Sequence, residues 1–122
     1  MKQKVHSVSY LAKAEFEFKK GVYDLVALPC GAEVVKVSVE VVGNPTAGTV
    51  SVGFKDEAPN KNYFLTLEYD ATRNNNLATS AKDYTATDNK VVVAEVKNAN
   101  GNDVKGVLRV LYFLPSVIEV EY

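Results

Sequence analysis

The sequence contains one cysteine, one histidine and no tryptophan. A single cysteine cannot form a disulfide within the chain, which excludes the disulfide-rich secreted scaffolds. A structural zinc site needs about four Cys or His ligands, and Cys30 and His6 are the only residues of those types. The sequence around His6 also supplies no carboxylate and nucleophile with which it could act as a general base. We therefore expect no metal, no cofactor and no enzymatic activity.

The sequence also lacks a surplus of charge, since 14 Lys and Arg residues stand against 15 Asp and Glu residues. Nucleic-acid binding needs a concentrated basic surface, so we expect no nucleic-acid partner. No apolar run approaches the roughly 20 residues of a membrane-spanning helix. The opening MKQKVHSVSY has no apolar core of the kind found in secretory signals. These absences predict a chain that is made in a reducing cytoplasm and has no membrane partner.

Sequence motifs for phosphate binding and for a nucleophilic serine are missing as well. Oxygen ligands for calcium occur in NANGND at 98–103 and in the run 83–88, but neither segment has the spacing of a calcium loop. Turn formation explains their Asn and Asp residues. Cys30 lies in the turn Leu-Pro-Cys-Gly-Ala without a nearby cation that would activate its thiol. We interpret it as a small turn residue.

Valine that alternates with polar residues is what the sequence has in abundance, and this pattern is typical of half-buried antiparallel strands. In KAEFEFK the residues Ala14, Phe16 and Phe18 alternate with charged neighbours. In the strand predicted over 33–42, the valines at positions 35, 37, 39 and 41 share one face. No window favours a helix of convincing length. Further strands are predicted at 22–28, 49–54, 63–69, 91–96, 104–114 and 116–122.

Turn residues separate these strands. Pro29, Cys30 and Gly31 join the strand 22–28 to the strand 33–42, and Asn100-Gly101 is a strong hairpin signal because both residues tolerate positive φ. The segment from about 70 to 90 is rich in Asn and Thr and forms either a long excursion or a pair of weak edge strands. We find no repeat and no linker. The prediction is one domain over 1–122 with a basic N-terminal arm at about 1–12.

The stretch VYDLVALPCGAEVVKVSVEVVGNPTAGTVSVGF, residues 22–54, resembles a pattern in small structural proteins of tailed-bacteriophage virions. In that pattern a strand ends in Leu-Pro-x-Gly-Ala, a valine-rich strand follows, and a short loop leads to a strand that ends in Val-x-Val-Gly. The final GNDVKGVLRVLYFL, residues 101–114, is similar to the closing strand of the same domains. The resemblance implies an all-β, antiparallel, jelly-roll-like β-sandwich that cements or decorates a capsid, or builds a fibre or tail component.

We therefore interpret the chain as a capsid cement (decoration) protein that binds across neighbouring major capsid protein subunits at the virion surface. The segments 91–96 and 104–114 have more apolar residues than one sheet face needs, so they are either central strands or part of a protein interface. A closed homo-oligomer, with a trimer favoured, would bury a surplus apolar face. We expect contacts in the terminal strands and in the Asn-rich segment. The predicted contact residues are Lys2, Lys4, Val5, Val8, Tyr10, Arg73, Asn75, Leu77, Ile118, Val120 and Tyr122.

Other interpretations stay open at this point. A carbohydrate-binding sandwich needs exposed aromatic platforms, for which Tyr10, Tyr84 and Tyr122 are the candidates. An enzyme that uses paired carboxylates is disfavoured because most acidic residues alternate with apolar ones on solvent-facing edges. The basic N-terminus and the acidic ending Glu-Val-Glu-Tyr are either two solvated ends or a head-to-tail contact between copies.

Overall fold

The computed structural model describes residues 1–6, 8–55, 62–70, 76–101, 103–115 and 117–121, the last range by its backbone only. Within these residues the chain forms eleven β-strands and no helix. The strands are β1 (Lys2–His6), β2 (Ser9–Glu17), β3 (Gly21–Leu28), β4 (Glu33–Val42), β5 (Ala47–Phe54), β6 (Leu65–Asp70), β7 (Leu77–Ser80), β8 (Tyr84–Thr85), β9 (Lys90–Lys97), β10 (Lys105–Phe113) and β11 (Val117–Glu121).

These strands form two antiparallel sheets and a separate two-stranded ribbon. The front sheet has the order β2-β10-β4-β7, with β8 also paired to β4, and the back sheet has the order β3-β9-β5-β6. The terminal ribbon consists of β1 and β11, the two ends of the chain. The antiparallel β-sandwich predicted from the alternation of valine with polar residues is confirmed.

The core between the two sheets is made of aliphatic and aromatic side chains. Val37, Val39, Val50, Val52 and Leu108 are completely buried, and no polar or charged residue is buried among the residues that the structure describes. Each such side chain contributes about 1.5–3 kcal/mol through removal from water. The front-sheet and back-sheet valines therefore stabilise the sandwich from opposite sides of one core.

The two strands with surplus apolar residues occupy central positions, β9 between β3 and β5 and β10 between β2 and β4. Both segments are therefore central strands, although Leu111 of β10 remains partly exposed on the outer face of its sheet. Val93 and Val107 lie outside the core cluster, yet their side chains are 0% and 6% exposed. Neighbouring strands on both sides cover them, because a central strand has side chains next to it in both directions.

Most connections between consecutive strands of the sandwich cross from one sheet to the other, whereas β5 and β6 share the back sheet and β7 and β8 share the front sheet. Pro29–Gly31 leads from β3 in the back sheet to β4 in the front sheet, and residues 98–104 lead from β9 to β10 in the same sense. The hairpin predicted from Asn100-Gly101 is therefore wrong. The positive φ angles of Asn98 (56°), Asp103 (58°) and Gly101 (129°) make a turn between sheets, since residues that tolerate positive φ suit either kind of turn.

A β-bulge in β4 changes the predicted face of Val35. Alternation predicts this side chain in the core, but it is 38% exposed, whereas Val34 is 1% exposed. The pairing with β10 shifts between Leu111 and Tyr112, so that Lys36 lies opposite Leu111 and Val34 lies opposite Tyr112. One extra residue in the strand reverses the phase of the alternation.

The described part of the 70–90 segment forms edge strands. Leu77–Ser80 pairs with Val37–Glu40 of β4, and Tyr84–Thr85 pairs with Glu33 and Val34. The Thr85 hydroxyl donates a hydrogen bond of 2.5 Å to the Glu33 Oε1. Residues 77–80 and 84–85 therefore form short edge strands with 81–83 between them, while 71–75 lie outside the described residues.

Gly106 leaves space for the ring of Phe16, its partner across β2 and β10. A Cβ added at Gly106 would overlap three atoms of that ring. We expect Gly106→Ala to lower the free energy of unfolding by about 1–3 kcal/mol because the core cannot absorb the extra methyl group. Urea denaturation measures this loss, and adding Phe16→Leu should restore part of it. A Gly106→Ala chain as stable as the original would contradict the packing described here.

Candidate protein-contact surfaces

The described residues provide no grouping of three His, Cys, Asp or Glu side chains that could hold a metal ion. They also include no helix long and apolar enough to cross a membrane. Three exposed features have a defined geometry: the turn around Cys30, the terminal ribbon and the outer face of the front sheet.

Cys30 is an exposed free cysteine in a turn that several hydrogen bonds hold in place. Its backbone N–H donates to the Asn89 Oδ1 at 2.9 Å, and its Sγ lies 3.4 Å from the Thr87 carbonyl oxygen. The next residue, Gly31, has a φ of 89° and donates its N–H to the Ala86 carbonyl at 2.6 Å. These contacts describe a residue that anchors a turn, in agreement with the interpretation from the sequence.

We expect Cys30→Ser to change the melting temperature by no more than about 3 °C, because the residue is exposed and a serine hydroxyl can keep the contact with the Thr87 carbonyl. Differential scanning calorimetry measures this shift. A much larger fall in melting temperature would show that the thiol has a structural role that its surroundings do not indicate.

The terminal ribbon pairs the basic end of the chain with its acidic end. Its antiparallel register places Lys2 opposite Glu121 and Lys4 opposite Glu119. Residue types of opposite charge that face each other across two strands stabilise the pairing modestly. The register of the backbone thus brings the basic and the acidic end of one chain together.

The terminal ribbon continues the pairing of β2 with β10 beyond the front sheet. The Leu114 N–H donates to the Val8 carbonyl at 2.9 Å, and the His6 Nδ1 lies 3.2 Å from the Leu114 carbonyl oxygen. Two edge-on ring contacts flank this junction, His6 with Phe113 and Tyr10 with Tyr112, at centroid distances of 6.2 and 5.9 Å. These hydrogen bonds and ring contacts therefore hold the base of the terminal ribbon to the end of the front sheet.

Within the described residues, β1 and β11 pair only with each other. An isolated two-stranded β-structure is marginally stable in water, and an unpaired strand edge can accept a strand from another protein. Both long edges of the terminal ribbon therefore have the geometry of a protein-contact surface.

Most of the predicted contact residues that the structure describes come together at the ribbon. Val8 and Tyr10 at its base are 36% and 51% exposed. Leu77 is exposed as well, but it lies on β7, on the far side of β10 and β4 from β2, so it belongs to a different surface. The residues in or next to the ribbon are Lys2, Lys4, Val5, Val8, Tyr10, Ile118 and Val120. Arg73, Asn75 and Tyr122 lie outside the described residues.

Tyr84, one of the aromatic platforms considered for carbohydrate binding, packs into a ring cluster. Its ring centroid lies 4.6 Å from that of Phe54 and 5.5 Å from that of Tyr63, and its side chain is only partly exposed. Tyr10 is more exposed but stands edge-on to Tyr112. Tyr84 is therefore part of the ring cluster, whereas Tyr10 remains half exposed beside Tyr112.

A surface that the sequence did not reveal is the leucine recess on the outer face of the front sheet. It is a cavity of about 270 Å³. Leu11 on β2 and Leu111 on β10 face each other across the two strands. The available signal was the surplus of apolar residues in 104–114, but the partner strands of β10 could not be known from it. The recess is lined by Leu11, Lys36, Ser38, Arg109 and Leu111.

No protein-family model matches the chain, and no curated protein matches it. Among solved structures, a chain of an acid-stable capsid of Helicobacter pylori bacteriophage KHP30 is 75% identical over 100% of both chains, with a TM-score of 0.93. A chain of the cyanophage Pam1 capsid is 21% identical over 88% of this chain and 85% of that one, with a TM-score of 0.65. A chain of the Ralstonia phage GP4 capsid is 13% identical over 92% and 88%, with a TM-score of 0.57.

The similarities to the Pam1 and GP4 chains show a shared fold. The 75% identity to the KHP30 chain over the full length of both chains shows common descent. The resemblance to structural proteins of phage virions is thereby confirmed at the level of capsid-associated proteins. This chain belongs to the family of phage capsid-associated proteins that includes the KHP30 chain.

Proposed function

We propose that this protein is a cement protein on the capsid surface of a tailed phage, where it binds across neighbouring subunits of the major capsid protein and stabilises the shell. The observation that carries the proposal is the terminal ribbon, built from both chain ends and left without a third strand among the described residues. The family relationship to a phage capsid chain supports the same location.

The mechanism follows from the chemistry of strand edges. A strand of a shell subunit can pair with the outer edge of β1 or β11 through backbone hydrogen bonds, and this pairing also orders a ribbon that is marginally stable alone. Contacts of one copy remain modest. The repeated shell lattice makes later contacts effectively intramolecular, which raises the total avidity.

We further propose that copies form a closed homo-oligomer, with a trimer favoured. Two long strands, β2 with nine residues and β3 with eight, stand at the edges of their sheets and contact each other at the same side of the sandwich. Long unpaired edges promote uncontrolled association unless something covers them. Multi-angle light scattering tests the proposal: a mass of three chains is expected, and a strict monomer at micromolar concentration would contradict it.

The copy number per virion tests the cement function. Quantitative mass spectrometry on purified particles should give a ratio to the major capsid protein near one or a simple fraction of it. A handful of copies per particle would instead favour the alternative of a fibre or tail component. Absence from the particles would overturn the proposal of a virion role for this chain.

A further inference from the structure

Along its strands, the outer face of the front sheet changes from rows with basic residues to a row with acidic residues. The register aligns Leu11, Leu111 and Lys36 in one row and Lys13, Arg109 and Ser38 in the next. The following row contains acidic residues, Glu15 on β2 and Glu40 on β4. Three cations therefore surround the leucine recess on the half of the face that is nearer to the terminal ribbon.

The cations of this surface have too few counter-charges. Lys13 lies directly opposite Arg109 on the neighbouring strand, a placement of like charges that destabilises a sheet. Arg109 reaches Glu40 with an Nη1–Oε1 distance of 3.3 Å, with both side chains about a third exposed. The side-chain ammonium groups of Lys13 and Lys36 form no hydrogen bond or ion pair with any residue that the structure describes. Glu40 therefore compensates part of the charge of Arg109, whereas Lys13 places a like charge opposite Arg109 and has no ion pair of its own within the described residues.

The floor of the same surface is apolar. Leu11 is 63% exposed although it faces Leu111 across the strands. An aliphatic side chain placed in the recess would remove both leucines from water, and the surrounding cations would then lie in a drier, less screened environment. Residues that dominate binding energy cluster in well-packed, desolvated pockets, and arginine is one of the residue types enriched among them.

We propose that the leucine recess binds an extended segment of the major capsid protein in which an aliphatic side chain is flanked by carboxylates. Charge complementarity selects this occupant, because carboxylates would pair with Lys13 and Lys36 and relieve the repulsion between Lys13 and Arg109. The identity of the partner rests on the proposed cement function. This second contact would be separate from the strand pairing at the terminal ribbon.

Lys13→Glu separates this proposal from a structural role for the lysine. The substitution replaces a like-charge pair with Arg109 by an opposite-charge pair, so the melting temperature should stay unchanged or rise by up to about 4 °C. Affinity for shells that lack this protein should nevertheless fall about tenfold or more and depend less on salt. Leu11→Ala should weaken binding about threefold to tenfold without unfolding the chain, because its side chain is exposed.

Lys20→Glu is the matched control, because Lys20 is an exposed lysine in the turn between β2 and β3 and the substitution changes the net charge by the same amount. Co-sedimentation with shells at low and high salt measures binding, and we expect Lys20→Glu to bind like the original chain. Equal losses for the two lysine variants, or unchanged binding of both Lys13→Glu and Leu11→Ala, would overturn the recess as a binding site. Failure of the original chain to bind shells would instead overturn the cement function.

Discussion

Removal of residues 1–6 is expected to leave a folded sandwich that binds capsid shells about 100-fold more weakly. The truncation eliminates β1 but leaves all nine residue pairs between β2 and β10, from Ser9–Phe113 to Glu17–Lys105. None of the buried core residues comes from β1. Two or three lost intermolecular hydrogen bonds at about 1 kcal/mol each account for a change of this size.

Co-sedimentation with shells that lack this protein measures the loss, and circular dichroism checks the fold. Val5→Pro provides a full-length version of the experiment, since proline removes a backbone donor from the strand while the charges of the arm stay. Val5→Thr is the matched control, because a β-branched residue keeps both the strand and its backbone donor. Unchanged affinity of both the truncated chain and the Val5→Pro chain would contradict the role of the terminal ribbon.

Leu108→Ala is expected to lower the free energy of unfolding by about 3 kcal/mol or more, within a usual range of 2–5 kcal/mol. Leu108 is 0% exposed and lies on the central strand β10, in the cluster between the sheets. The cavity left by the substitution cannot collapse easily, because strands on both sides hold the backbone. Such a loss is a large fraction of the stability of a typical domain.

Leu11→Ala is a matched control for this stability experiment, since it makes the same change at a leucine that is 63% exposed. We expect its effect on unfolding to stay within about 0.5 kcal/mol. Urea denaturation measures both changes in the free energy of unfolding, provided that this free energy depends on urea concentration with the same slope in all variants. Similar losses of stability for Leu108→Ala and Leu11→Ala would contradict the placement of Leu108 on the core-facing side of the front sheet and of Leu11 on its solvent-facing side.

Much of the fold could be predicted because strand formation depends on local alternation. Val37, Val39 and Val41 alternate with polar residues, and they are buried as that pattern requires. The error at Val35 has a physical cause outside its own strand. The bulge is defined by the pairing of β4 with β10, a strand more than sixty residues away, and no local pattern contains that register.

The candidate surfaces were only partly predictable for the same reason. The terminal segments were predicted to make contacts, but the pairing of Lys2 with Glu121 and of Lys4 with Glu119 depends on two ends that meet only in the folded chain. The leucine recess likewise requires Leu11 and Leu111 to be neighbours across strands separated by about a hundred residues of sequence.

The sequence by itself determined that this protein is built from strands, because the period of its side-chain alternation and its β-branched residues suit a half-buried sheet. Only the tertiary structure decided which strands are neighbours and which connections cross between the sheets. Turn residues such as Asn100 and Gly101 permit a reversal of the chain but do not specify its partner. The pairing partner of each strand is selected because the valine-rich inner faces of both sheets are buried in one core. That burial is a property of the whole chain.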